Sequence, residues 1–514
     1  MNSSEAKPKH ESIQHGDLDC LEGLNFQPEG TRKLTPLQTI SASWIICDSW
    51  AGVAATVALA IVQGGPVTLV YGLILIFLLV GACTLTLAEL ASTYPTAGGQ
   101  YHWTSILAPK RLSRALSYCC GVSNMLAWIA ICTGIAIIPA QLILGIVLFY
   151  DSEYQSQPWH YFLIYQSVNG LVLLYNTTLL KKSLWFHDVS FFVTLTSFVV
   201  IMVTCLARSA SRYEPSSSVW ATFLNGSGWN SGGVAFLTGL VSPNYMYAGI
   251  DGALHLAEEC RNATTAVPRA LMSTLIIGFI TSFAFMITML YCTSDLDTVV
   301  ASSTGVPIYE MWHQATRSTS AATVFICLLL LAAVFALTGA QQTASRLTWS
   351  LARDRALIGS QWIGKIHDTL EVPVWALVFN YAVMFLIGCI YLGSSSAFNA
   401  FIGTGLVLQH ISYAFPAALL LYRCRSATWL PDLRPFRLPS SVGWGANVIT
   451  VCFAVLVLVF YDFPTVMPVT GSNMNYTPAV LGAMAIVAGI NWLVYARKWY
   501  QGPRLRRSSG DTQK

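Results

Sequence analysis

Ser41-Ala-Ser-Trp-Ile-Ile-Cys-Asp-Ser-Trp-Ala-Gly52 stands inside an apolar run at about 37–62, and Val241-Ser-Pro-Asn-Tyr-Met-Tyr-Ala-Gly-Ile-Asp-Gly252 stands inside another at about 232–257. Each stretch puts small and polar residues where a plain membrane anchor would carry Leu or Val. Each also contains aromatic-Ala-Gly, as Trp50-Ala51-Gly52 and Tyr247-Ala248-Gly249. A helix interrupted in mid-membrane exposes backbone N–H and C=O groups, which hydrocarbon does not satisfy and a protein-lined cavity does. A matched pair of Gly- or Pro-interrupted spans in corresponding positions points to the binding site of a secondary transporter. Close helix packing through small residues is the structural alternative.

Further spans extend outward from these two. The chain has 514 residues, of which 54% are hydrophobic and 10% charged. A soluble surface needs roughly 25% charged residues, so the outer face of this chain meets lipid. Runs of about 20 apolar residues, enough to cross a bilayer as helix, occur at 37–62, 67–92, 115–149, 159–180, 184–206, 232–257, 269–292, 320–345, 373–392, 397–421, 442–461 and 477–496. With the N-terminus inside, all of the 28 Lys and Arg except Arg208, Arg212 and Arg317 fall on the inner side. That asymmetry supports twelve spans with both tails in the cytoplasm. The expected organisation is a disordered cytoplasmic tail at 1–36, a twelve-helix domain at 37–500 and a cytoplasmic tail at 501–514. Under this topology Asn225, in the sequon Asn225-Gly226-Ser227, is a glycosylation candidate. Asn176 and Asn262 lie inside and stay unmodified.

The acidic residues at or within spans carry the functional reading, because a carboxylate in a bilayer is costly. They are Asp48, Glu89, Asp188 and Asp251. The 13 cysteines contain no C-x-x-C pair, and Cys83, Cys132, Cys327, Cys389 and Cys452 sit singly in apolar runs. They read as small buried apolar residues. No metal, cofactor or nucleic-acid ligand is implied. The chain also lacks H-E-x-x-H, G-x-S-x-G and P-loop motifs, which argues against an enzyme.

Three motifs carry a family resemblance. Thr86-Leu-Ala-Glu-Leu-Ala-Ser-Thr-Tyr-Pro-Thr-Ala-Gly-Gly-Gln-Tyr101 follows the second span. Tyr247-Ala-Gly-Ile-Asp-Gly-Ala-Leu-His-Leu-Ala-Glu-Glu-Cys260 with Val267-Pro268-Arg269 closes the sixth, and Ala344-Ser-Arg-Leu-Thr-Trp-Ser-Leu-Ala-Arg-Asp354 closes the eighth. Together they resemble the amino acid–polyamine–organocation transporters, and most closely their fungal branch of γ-aminobutyrate (GABA) and choline permeases. The resemblance implies an all-α membrane protein with a five-plus-five inverted repeat, in which spans 1 and 6 are broken and spans 11 and 12 are appended.

It also implies a substrate site between the two breaks. The N–H groups of Ser49, Trp50, Ala51 and Gly52 would receive a substrate carboxylate at a helix N-terminus. The carbonyls near Tyr247 and Ala248 would meet its amine, with Gly249 and Asp251 beside them. Asp48 departs from the branch, where an uncharged residue is commoner. An ionised Asp48 suits a cationic substrate, with Trp44, Trp50 and Tyr247 as cation–π faces; an Asp that only caps the break is the alternative. The expected activity is import of a small amino acid or related cation, such as GABA, choline or a polyamine. Symport with a proton is expected, with His187 and Asp188 as coupling candidates. A nutrient sensor of the same fold is the alternative. The plasma membrane is the expected location, and the vacuolar membrane the alternative.

Overall fold

The computed structural model describes residues 34–151, 153–180, 183, 185–471 and 473–503. The two terminal tails, apart from 34–36 and 501–503, therefore lie outside the described residues, as do Lys181 and Lys182.

The described residues are mostly helical because the apolar runs must satisfy their own backbone groups in lipid. Its principal helices are α1 (Pro36–Cys47), α2 (Ser49–Val62), α3 (Pro66–Thr93), α4 (Gln100–Leu107), α5 (Ser113–Tyr150), α6 (Pro158–Thr178), α7 (Trp185–Ser209), α8 (Gly232–Gly239), α9 (Val241–Asn244), α10 (Gly252–His255), α11 (Ala263–Cys292), α12 (Thr319–Arg353), α13 (Val374–Gly393), α14 (Ser395–Tyr422), α15 (Ser440–Phe460) and α16 (Thr477–Asn491). The sheet among the described residues is one short antiparallel pair, Gln63–Gly64 with Leu224–Asn225.

Ten helical runs among the described residues are long and apolar enough to cross a membrane, with α1 and α2 counting as one run. Two of the twelve expected spans fall outside that set for identifiable reasons. Helix α6 has 21 residues, yet it carries Asn169 and Asn176 on one face. Asn169 accepts from Gln341 of α12 at 3.0 Å, and Asn176 donates to the Thr338 carbonyl at 3.1 Å. The other is the stretch 232–257, which breaks into short helices. Helix α12 runs on past the expected boundary at 345 to Arg353, and α14 passes through Pro416 to Tyr422.

Helix packing places the two breaks at the centre. Helix α3 lies along α11, α5 along both α12 and α14, and α6 along α13, while α1 touches α7, α11 and α12. The cysteines divide by position. Cys83 and Cys132 are buried as expected, but Cys327, Cys389 and Cys452 are exposed on the outer surface of the bundle. A thiol is apolar enough for that face.

Candidate functional site

The first span breaks at one residue. Asp48 has φ 34° and ψ 60°, the left-handed conformation, which separates α1 from α2. Among non-glycine residues Asp tolerates this region comparatively well. Its N–H donates to the Trp44 carbonyl at 2.8 Å and its carbonyl accepts from the Gly52 N–H at 3.0 Å. The backbone is therefore satisfied on both sides of the break. The side chain is a different matter. It makes no capping bond, it is 2% exposed, and neither carboxylate oxygen has a hydrogen-bond partner among the described residues.

The sixth span breaks over a longer stretch. Helices α8 and α9 give way to a 3-10 turn at Tyr245–Tyr247. Ala248 is extended, Gly249 has φ +81°, and α10 starts at Gly252. Gly249 is required twice over: the backbone there favours glycine, and a Cβ would stand 3.0 Å from the Trp128 ring and 3.1 Å from Ile46. Gln409 of α14 satisfies the loosened backbone. Its Oε1 accepts from the Gly249 N–H at 3.1 Å, and its Nε2 donates to the Tyr247 carbonyl at 3.3 Å and to the Tyr413 hydroxyl at 2.7 Å.

The two breaks touch. Ser49 donates to the Met246 carbonyl at 2.6 Å. A Cβ on Gly52 would lie 3.0 Å from the Tyr245 carbonyl oxygen, so glycine permits the close approach of the two backbones. Beside this contact lies a cavity of about 240 Å³. One wall is Cys47, Asp48, Ala51, Gly52, Ala55 and Thr56 of the first span. The others are Tyr245 and Ala248, the stretch from Ile131 to Gln141 of α5, Leu329 to Ala336 of α12, and Asn399, Ile402 and Leu406 of α14. Most of the lining is aliphatic, and Asp48 is its one carboxylate. Such a chamber, apolar with a few polar anchors, is what a small-molecule site requires.

Asp48, Ala51, Gly52 and Ala248 line the cavity, while Ser49, Trp50, Tyr247, Gly249 and Asp251 do not. The Gly52 N–H is taken by the Asp48 carbonyl. The expected aromatic faces point elsewhere: Trp44 meets Phe191 edge-on at 5.0 Å, Trp50 packs on Phe198 and Phe285, and the Tyr247 hydroxyl donates to the Leu275 carbonyl at 2.7 Å. Sequence reasoning missed Tyr245, Gln141 and Asn399, although each is a polar or aromatic residue in an apolar run. His187 and Asp188 are not joined to each other: Asp188 accepts from Ser41 at 2.8 Å, and His187 is buried. Asn225 is exposed and its amide donates to the Trp229 carbonyl at 2.7 Å. Asp251 is wholly buried, and Gln100 donates to its Oδ2 at 2.7 Å.

The opposite end of the bundle is held by ion pairs. Glu89, wholly buried, accepts from Arg425 at 2.5 Å, from Arg434 at 2.7 Å and from the Leu438 N–H at 3.2 Å. Arg353 pairs with Glu258 at 3.2 Å and Arg346 with Glu259 at 2.8 Å. Leu34, just before α1, exchanges backbone hydrogen bonds with Glu259 and Arg261, both at 3.0 Å.

Comparison with known proteins follows the same outline. A family model described as amino acid permease matches residues 37–486. The chain is 32% identical over 454 residues to a choline transporter of Saccharomyces cerevisiae, an alignment that covers 88% of this chain and 79% of that protein. It is 31% identical over 483 residues to a swainsonine transporter of Arthroderma benhamiae, covering 92% and 93%. Over 500 residues it is 26% identical to a 7-keto 8-aminopelargonic acid transporter of Saccharomyces cerevisiae, covering 86% and 88%.

Proposed function

The chain belongs to the amino acid permease family and is a multi-pass membrane transport protein, and from that premise we propose that it is a proton-coupled permease importing a small amino acid or related cation, such as GABA or choline. The observation that carries this reading is Asp48. Its carboxylate lacks a partner among the described residues, lies at a helix break and lines an apolar cavity. An isolated buried carboxylate is costly, and a substrate ammonium offsets that cost. The aliphatic remainder of the cavity suits the methylene or methyl groups of such a substrate. A relative named for choline transport supports the same class.

The transport cycle follows the architecture. The chain crosses the membrane twelve times, α6 and the broken stretch 232–257 supplying the two spans beyond the ten long apolar runs. Spans 1–5 and 6–10 form an inverted repeat, a reading supported by the packing of α3 on α11, α5 on α12 and α6 on α13, which are spans 2 on 7, 3 on 8 and 4 on 9. Both termini are cytoplasmic and the protein works in the plasma membrane. The cavity lies in the half of the bundle toward Tyr150, Thr319 and Ser395, which is then the outer half. The ion pairs of Glu89, Arg346 and Arg353 close the inner half. Substrate enters from outside, its cationic group meets Asp48, and the inner contacts part as the two breaks rock against each other.

A substrate screen in permease-deficient cells, offering GABA, choline, polyamines and neutral amino acids, tests the proposal. Saturable uptake of a cationic compound, inhibited by acidifying the cytosol, is the expected result. No uptake of any of these ammonium-bearing compounds, with uptake of an uncharged control such as 3,3-dimethylbutan-1-ol instead, would overturn the substrate class.

A further inference from the structure

We propose that Asp251 and His255 form the proton site of this permease, with Asn124 and Gln100 holding the imidazole ready in both protonation states. The proposal rests on the reading of the chain as a proton-coupled transporter and assigns the coupling ion a place.

The four side chains come from three parts of the molecule. Asp251 immediately precedes α10, and His255 ends it. Gln100 opens α4 after the Gly98-Gly99 turn, and Asn124 is on α5. All four are essentially fully buried. Nδ1 of His255 lies 2.8 Å from the Ala97 carbonyl. A carbonyl only accepts, so Nδ1 carries a hydrogen. Nε2 therefore decides the charge of the ring, and it has two neighbours at nearly equal distance: Oδ2 of Asp251 at 3.2 Å, an acceptor, and Nδ2 of Asn124 at 3.3 Å, a donor.

The donor role of Asn124 is fixed by a chain that starts at the carboxylate. Asp251 only accepts when ionised, so the Gln100 amide turns its Nε2 toward it, at 2.7 Å. That turns Oε1 of Gln100 toward Asn124, whose Nδ2 donates to it at 3.1 Å. The second Nδ2 hydrogen is left for the imidazole.

This arrangement accommodates a proton without moving the ring. With the proton on Nε2, the new N–H donates to Asp251 and the pair is neutral overall. Without it, Nε2 accepts from Asn124, and Asp251 keeps the hydrogen bonds from Gln100 and, at 3.4 Å, from the Trp128 indole. The proton comes from outer water onto the Nε2 lone pair, where an N–H bond forms. It leaves for inner water when that bond breaks, and no other bond changes. The unprotonated cluster holds one uncompensated buried negative charge, which disfavours the closely packed inner half. Proton binding thus favours the closed arrangement described here, and the proton is released after substrate binding has parted the inner contacts and admitted inner water.

The cluster is coupled to the substrate cavity through one layer of side chains. A Cβ on Gly249 or Gly252 would meet both Ile46 and Trp128, and Ile46 itself lines the cavity. The Trp128 ring stands edge-on to His255, with centroids 5.9 Å apart. Other ionisable groups face the pair from neighbouring elements: Cys47 at the first break, and His410 and Tyr413 on α14, each lie within electrostatic range of Asp251, and Asp48 adjoins Cys47. From the turn after α10, Glu258 accepts from the Ala97 N–H at 3.3 Å. On α4, His102 turns away to Thr96 and Asp354.

The test uses the full chain in proteoliposomes with the substrate that the screen identifies. In the wild type an outward-acid gradient drives accumulation. His255→Gln and Asp251→Asn should each abolish that accumulation while retaining substrate exchange at equal pH, and exchange should lose its pH dependence. Accumulation by His255→Gln at the wild-type level would overturn the proposal alone. A wild type that ignores the gradient would instead overturn the proton-coupled reading, and this site with it. Should His255→Gln fail to exchange at all, Asn124→Ala decides. Removing the donor that stabilises the unprotonated ring should raise its proton affinity and move the pH profile of exchange to higher pH. An unmoved profile there would overturn the proposal.

Discussion

Two carboxylates mark the two helix breaks, and the protein treats them in opposite ways. Asp48 is a single left-handed residue between two regular helices, its side chain without a partner among the described residues and at the cavity wall. Asp251 lies at the end of a longer irregular stretch, away from the cavity, and receives hydrogen bonds from Gln100 and Trp128. Burial is nearly equal at the two sites, at 2% and 0% exposed. The difference is therefore one of partners, and partners decide what a buried charge is for. An acid without donors on either oxygen is available to a ligand, and one whose Oδ2 already receives them holds a charge within the protein.

The largest effects should come from closing the breaks themselves. Gly249→Leu and Gly52→Leu should abolish transport while membrane delivery, followed by surface labelling, largely persists. The first forces a β-carbon against Trp128 and the second against the Tyr245 carbonyl. Near-normal radiolabelled uptake in both would remove the two breaks from the mechanism.

A third buried carboxylate extends the comparison. Glu89 is neutralised by Arg425 and Arg434. Glu89→Gln should lower the stability of the folded permease by about 3–5 kcal/mol, the usual cost of breaking a buried ion pair from one side. Thermal unfolding in detergent would register it. An unchanged midpoint would mean that these pairs do not hold the inner half together.

Asp48→Asn keeps size but removes the charge. Apparent affinity for a cationic substrate should fall roughly 10- to 150-fold, corresponding to about 1.5–3 kcal/mol for a charge-assisted contact. Exchange and accumulation measured on the same variant separate this outcome from a coupling role for Asp48, in which exchange persists and accumulation fails. The smallest effect belongs to the indoles. Trp50 packs on Phe198 and Phe285 outside the cavity lining. Trp50→Phe should change apparent affinity by less than about twofold, against the roughly 2- to 30-fold that a direct cation–π contact of about 0.5–2 kcal/mol carries. A larger loss would place the indole at the substrate.

The breaks were legible in the sequence because membrane physics forbids polar, Gly-rich interruptions without a purpose. The direction of each side chain was less legible, although part of the signal was present. Cys47, Asp48, Ala51, Gly52, Ala55 and Thr56 line the cavity at the three- and four-residue spacing of one helical face. Ser49 and Trp50 fall off that face, so reading the stretch as a contiguous block placed too many of its residues in the site. Asn399 and Gln141 were polar residues in apolar runs and could have been flagged in the same way. In the sixth span a 3-10 turn, an extended Ala248 and a left-handed Gly249 reset the helical phase, and no periodicity carries across such a stretch. The role of the Gly98-Gly99-Gln100 motif was hidden for another reason. Gln100 and Asp251 are 151 residues apart in the chain and meet only in the fold.

The claim that Asp48 receives a positive charge is tested most directly by competition between choline and its neutral carbon isostere, 3,3-dimethylbutan-1-ol, against uptake of the substrate. The two differ in charge and barely in shape. Wild-type permease should be inhibited far better by choline, and Asp48→Asn should lose most of that preference. Equal inhibition in the wild type, or an undiminished preference in Asp48→Asn, would contradict the account.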